Sequence, residues 1–128
     1  PIKLSLNELM QYIQASSGVD KELIMHYANE MKLDITANLN KSFFKLSGGM
    51  KQKMLIAISL AKKSNIIIYD EPTANLDPKA RDDFYRLLKE NEDDKVLLFV
   101  THRLDEVKDI VNRQVYMDLG KIVSDERV

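Results

Sequence analysis

At 128 residues, 45% apolar and 30% charged, the chain has the composition of one folded unit with a real core, not of a disordered segment. A net charge of -1 argues against a basic surface spread over the whole domain, leaving room only for a local basic patch, and no nucleic-acid partner is expected. There is no cysteine for a disulfide or thiolate metal site, no apolar run near the roughly 20 residues that span a bilayer, and no signal-like start; a reducing, cytoplasmic compartment is expected.

Taken in chain order, Ser5-Leu6-Asn7-Glu8 reads as a capping box, with Ser5 accepting a backbone N–H and Glu8 reaching back. Leu6, Leu9, Met10 and Ile13 follow at helical spacing, and Ser16-Ser17-Gly18 breaks that helix. Asp20 caps a second helix with an apolar face of Leu23, Ile24, Tyr27 and Met31. No period persists from Asp34 to Lys45, so a loop is expected there. A third helix follows Gly49, with a stripe of Leu55, Ile56, Ile58, Ser59 and Leu60 and with Lys62 and Lys63 at the negative end of its dipole. Ile66 to Tyr69 is a short β-branched run, expected to form a strand buried on both faces. Asp77-Pro78 combines a capping side chain with proline at the first position of a helix running to about Glu90. Val96 to Val100 is expected as a second buried strand and Arg103 to Val111 as a short helix. Val115 to Met117 and Ile122-Val123 are expected as strands joined by a turn at Leu119-Gly120-Lys121. The alternation makes the back two-thirds an α/β layer behind a helical front.

Two carboxylates, Asp70 and Glu71, emerge at the end of a strand, where open α/β sheets bind ligands. Their side chains point to opposite faces, so they suit different tasks. One can hold magnesium, largely through water, and the other can orient or deprotonate an attacking water. Asp-Glu-Pro alone equally suits a solvated strand end. Leu46-Ser47-Gly48-Gly49 before a helix offers free amides, a positive dipole end and a hydroxyl, which together suit a terminal phosphate. By itself Ser-Gly-Gly better suits an ordinary flexible loop before a helix. His102 follows the second strand and could donate to a phosphate oxygen. His26, mid-helix with no partner motif, is assigned no role. The methionines (10, 25, 31, 50, 54 and 117) lie on different elements and read as core or gap-filling residues, not as copper ligands.

Lys45-Leu46-Ser47-Gly48-Gly49-Met50-Lys51-Gln52-Lys53, then Ile66-Ile67-Ile68-Tyr69-Asp70-Glu71-Pro72, then Phe99-Val100-Thr101-His102 resemble the signature motif, Walker B strand and switch histidine of ATP-binding cassette (ABC) ATPases. Asp77, in Ala74-Asn75-Leu76-Asp77, matches the D-loop aspartate. Met50 stands for a common Gln, Lys53 for a common Arg and Asn75 for a small residue. No Gly-x-x-x-x-Gly-Lys-Ser/Thr phosphate loop occurs, and the family's glutamine loop is also missing. The resemblance implies an α/β, partial P-loop NTPase-like core with an N-terminal helical subdomain: residues 1–45 as that subdomain and 46–128 as the C-terminal half of the catalytic core. It implies a fragment of a larger transporter ATPase subunit. With ATP and magnesium, Asp70 would serve the metal, Glu71 and His102 the chemistry, and Ser47, Gly48, Gly49 and Asp77 the nucleotide. The implied partners are a second nucleotide-binding domain, arranged head to tail, and transmembrane permease subunits at the inner face of the membrane. The chain alone is expected to be inactive, and the missing neighbour of the Val96 to Val100 strand leaves an edge expected to self-associate. Alternatives are a translation or DNA-repair ATPase, the latter disfavoured by the short two-helix subdomain, or a stand-alone binding or dimerisation half-domain.

Overall fold

The computed structural model describes residues 3–91 and 94–128. Helix α1, Leu6–Ser17, starts at the expected capping box: the Ser5 hydroxyl accepts the Glu8 N–H and the Glu8 carboxylate accepts the Ser5 N–H. It stops at Gly18, whose φ of 71° is the left-handed cap that glycine takes without penalty. Asp20 caps α2, Lys21–Glu30, as expected. The segment expected as a loop is partly ordered into α3, Ile35–Asn38, and a 3-10 turn, Phe43–Lys45. Asp34 caps α3 with its carboxylate, and Ile35 is buried, so tertiary packing supplies what periodicity could not show.

Helix α4, Gly48–Lys62, lies against α2. Its buried face is Met54, Ile56, Ala57, Leu60 and Ala61, whereas Leu55 is half exposed. Of the expected stripe only Ile56 and Leu60 are buried, with Ile58 and Ser59 half-buried, and Met54, Ala57 and Ala61 complete the buried face. Strand β1, Ile66–Asp70, pairs in parallel with β2, Val96–Val100, with Ile66 opposite Val96 and Asp70 opposite Val100. Between them runs α5, Pro78–Glu90, begun by Asp77 as expected.

The expectation that both strands are buried on two faces is corrected. Ile67 and Tyr69 are buried, but Ile66 and Ile68 are 63% and 65% exposed, and Val96, Leu98 and Val100 share that open face. The physical reason is that the helices cover one side only. Tyr69 packs edge-on against Phe84 of α5 and its hydroxyl meets that of Ser59 on α4 at 2.9 Å. No described element lies over the other side.

The expected helix from Arg103 to Val111 shortens to one turn, α6, Leu104–Val107. Arg103 is not helical, its N–H being taken by the Thr101 hydroxyl, and the chain then turns on the Val107 carbonyl. Strands β3, Arg113–Asp118, and β4, Lys121–Arg127, are longer than expected and form an antiparallel hairpin. Leu119 and Gly120 both have positive φ, as a two-residue hairpin turn requires. The hairpin packs little against the rest, so Met117 is 67% exposed and is not a core residue, unlike Met10, Met31 and Met54. One core runs from α1 through α5, with Phe84, Leu6 and Met54 fully buried.

Candidate functional site

The structure arranges the candidate residues in two neighbouring groups. The first surrounds the start of α4. Ser47 is its N-cap, with the hydroxyl accepting the Met50 N–H at 3.2 Å, while Gly48 and Gly49 occupy the first turn, where amides have no acceptor within the helix. Asn75 packs on this turn. A side chain at Gly49 would place its Cβ 3.0 Å from the Asn75 carbonyl, and one at Gly48 would meet the Asn75 side chain at 3.6 Å. A side chain at position 49 would require the Asn75 backbone to give by a few tenths of an ångström, so close approach favours glycine there apart from any ligand. Asp77 uses Oδ1 to cap α5 through the Ala80 N–H at 2.8 Å. Met50 packs its side chain against the core, which accounts for an apolar residue there.

The second group lies at the ends of β1 and β2. Asp70 ends β1 exposed, on the open face shared with Ile68 and Val100. Glu71 follows just past the strand end. Its φ of 45° is left-handed and strained for a residue with a side chain, and two bonds hold it there. Its N–H donates to the Val100 carbonyl at 2.8 Å, and its Oε1 accepts the His102 N–H at 3.1 Å. The His102 ring is almost wholly exposed, with Nε2 3.6 Å from the same oxygen. Gln52 of α4 links the two groups by donating to the Pro72 carbonyl at 2.8 Å. His26, with no assigned role, is exposed and rests edge-on against Tyr27.

Sequence reasoning missed a further polar centre. Glu106 of α6 accepts from Arg81 Nη1 at 3.1 Å and Arg103 Nη1 at 3.2 Å on Oε1, and from Thr73 Oγ1 at 3.0 Å and Tyr85 Oη at 3.1 Å on Oε2. Burial opposes charge on this carboxylate, but the Thr73, Arg103 and Tyr85 donors and the Arg103 charge outweigh it, holding Glu106 below the ordinary glutamate value. The available signals were spacings: Arg81 and Tyr85 at i, i+4 and Arg103 and Glu106 at i, i+3.

The donor set at α4 (a hydroxyl and two free glycine amides at a positive helix end) fits a phosphate group. No cluster of three metal-ligating side chains occurs among the described residues. Magnesium would therefore need oxygens from nucleotide and water beside Asp70. No helix among the described residues is long and apolar enough to cross a membrane.

Comparison with known proteins gives the same answer as the motifs. The family model described as ABC transporter matches residues 5–74. The energy-coupling factor transporter ATP-binding protein EcfA2 of Mycoplasmoides gallisepticum is 41% identical over 112 residues, covering 84% of this chain and 35% of that protein. EcfA2 of Clostridium perfringens is 37% identical over 125 residues, covering 93% and 44%. The dimeric structure of a bacterial ABC transporter cassette superposes with a TM-score of 0.80 at 26% identity, covering 98% of this chain and 58% of that one. An ATP-binding subunit of an ABC transporter superposes at 0.83 and 22%, covering 98% and 54%, which supports the fold. The chain spans less than half the length of these curated relatives. With its signature helix, Walker B strand and α/β core in place, this chain belongs to the ABC transporter ATP-binding family.

Proposed function

We propose that this chain supplies the helical subdomain (1–45) and the C-terminal half of the catalytic core (46–128) to an ATPase subunit that drives transport through membrane permease subunits. The observation that carries this reading is the strained Glu71, fixed at the end of β1 with its carboxylate against the loop of His102. A carboxylate so held can orient and deprotonate a water, and the exposed His102 ring is free to donate to a phosphate oxygen. Asp70, on the open face, serves the magnesium that accompanies ATP and neutralises developing charge during phosphoryl transfer.

By the family resemblance, Ser47, Gly48 and Gly49 at the start of α4 serve a second nucleotide, held by a partner domain docked head to tail. Asp77 is exposed, and its Oδ2, not used in capping α5, is available to meet that partner. The permease places the complex at the inner face of the membrane. The names of the relatives favour transport over a translation or repair role. The backbone cradle and lysine that hold β- and γ-phosphates are not in these 128 residues, so the chain alone should bind ATP weakly and turn over none. Turnover by the purified chain, clearly above that of its Glu71→Gln variant, overturns this division of labour. Turnover that appears only when the sequence is carried with a phosphate loop supports it.

A further inference from the structure

We infer that Glu106 is a positioning residue: it ties the loop carrying His102 to the turn carrying Glu71 and to the helix that Asp77 begins, so that the three are placed as one unit. This rests on the ATPase role proposed for Glu71 and His102.

The two loops are tied reciprocally. The turn after β1 runs Glu71-Pro72-Thr73-Ala74, closed by the Ala74 N–H to the Glu71 carbonyl at 3.2 Å. The loop after β2 runs Thr101-His102-Arg103 into α6. Each loop lends a carboxylate to a donor of the other. Glu71 accepts from the His102 backbone, and Glu106 accepts from the Thr73 hydroxyl. Two such bonds, run in opposite directions between the same loops, resist both separation and shear, whereas either alone leaves a pivot.

The second tie also reaches further. Arg81 and Tyr85 anchor Glu106 to α5, and the Arg81 Nε additionally donates to the Leu76 carbonyl at 3.1 Å, one residue before Asp77. A shift at Asp77 must therefore strain the Arg81–Glu106 pair before α5 can move independently of α6. The Glu106 side chain is only 16% exposed and both its oxygens are fully used, so water cannot replace these partners cheaply. Without it, the His102 loop keeps the Glu71 contact, the end of the two-stranded sheet and, further along, the buried Val107 of α6.

The test uses Glu106→Gln, Thr73→Val and the hydroxyl-retaining Thr73→Ser, with two readouts. In the 128-residue chain, amide exchange at His102 should accelerate on the order of tenfold in Glu106→Gln and Thr73→Val while that at Tyr69 is unchanged, and Thr73→Ser should behave as wild type. In the longer polypeptide with a phosphate loop, the first two should lower kcat by about 10- to 100-fold with KM for ATP little changed, and Thr73→Ser should restore kcat. Should Glu106→Gln fail to fold, Thr73→Val, which removes one bond of four, carries both readouts. Unchanged His102 exchange, or unchanged kcat in a wild type that turns over, overturns the inference. A longer wild type with no turnover sinks the ATPase reading instead, and His102 exchange then decides the tie alone.

Discussion

The Glu71 carboxylate oxygen that accepts the His102 backbone N–H also lies 3.6 Å from the His102 imidazole, so backbone and ring of one residue converge on a single atom. Glu71 is thereby aimed before any ligand arrives. Its strained φ is maintained by the strand end on one side and the His102 loop on the other.

In the full ATPase polypeptide, Glu71→Gln should therefore lose turnover by about 100-fold or more while nucleotide affinity is retained. The amide keeps the shape and can still accept the His102 N–H, but it cannot take a proton from water. His102→Ala should also slow turnover. Steady-state turnover beside equilibrium nucleotide binding checks both, and near wild-type turnover by Glu71→Gln assigns the water-activating role elsewhere.

Ser47→Arg should block turnover in the same polypeptide with little effect on ATP binding by one subunit. The Ser47 cap is exposed, so the helix tolerates the change at a cost of about 0.5–2 kcal/mol, whereas a bulky cation at the opposed face prevents closure onto a partner. Mixing this variant with one defective in the phosphate loop should restore activity in some heterodimers. Confirmed heterodimers with no activity at any ratio count against action in trans.

The helix starts were legible because caps are local: Ser5, Asp20 and Asp77 act within three residues of themselves. The hairpin turn at Leu119-Gly120 was legible for the same reason. What stayed hidden depends on residues far apart in sequence. Ile66 and Ile68 read as buried on both sides because β-branched runs do not reveal which face finds a cover. At the site, the family resemblance named Glu71 and His102, but the Thr73–Glu106 bond joins residues 33 apart and has no pattern in one sequence. Leu55 shows the limit within a single helix, since a broad apolar stripe does not fix its own centre.

Alkaline pH should weaken the Glu106 centre through Tyr85. Burial pushes the Tyr85 hydroxyl from its ordinary value of 10.0 to about 12, aided by its bond to the Glu106 carboxylate and by that group's charge, against the Thr73 hydroxyl and the Arg103 charge. The folded value is raised, so the stability it contributes is fully present below pH 10 and is lost as pH rises towards 12. Tyr27 and Tyr69 shift in the same direction, chiefly by burial, so the measurement is a difference. Denaturant midpoints of wild type and Tyr85→Phe should converge between pH 10 and pH 12. Parallel curves across that window remove Tyr85 from the alkaline transition.

The open side of the sheet should make this chain self-associate. Strands β1 and β2 pair only with each other among the described residues, so each presents an outer edge of backbone donors and acceptors. Ile66, Ile68, Val96, Leu98 and Val100 form one apolar face there, each more than half exposed. Pairing a second copy along β2 satisfies backbone groups and covers part of that face at once, whereas rearrangement within one copy has few residues to spare, since the hairpin already pairs internally. A dimer or higher oligomer is expected, and Leu98→Lys should dissociate it by placing a charge on the joining face without entering the core. Sedimentation over a wide concentration range reads both effects. A wild type that stays monomeric throughout, with Val96–Val100 amides exchanging rapidly, refutes edge pairing and leaves a frayed strand in its place.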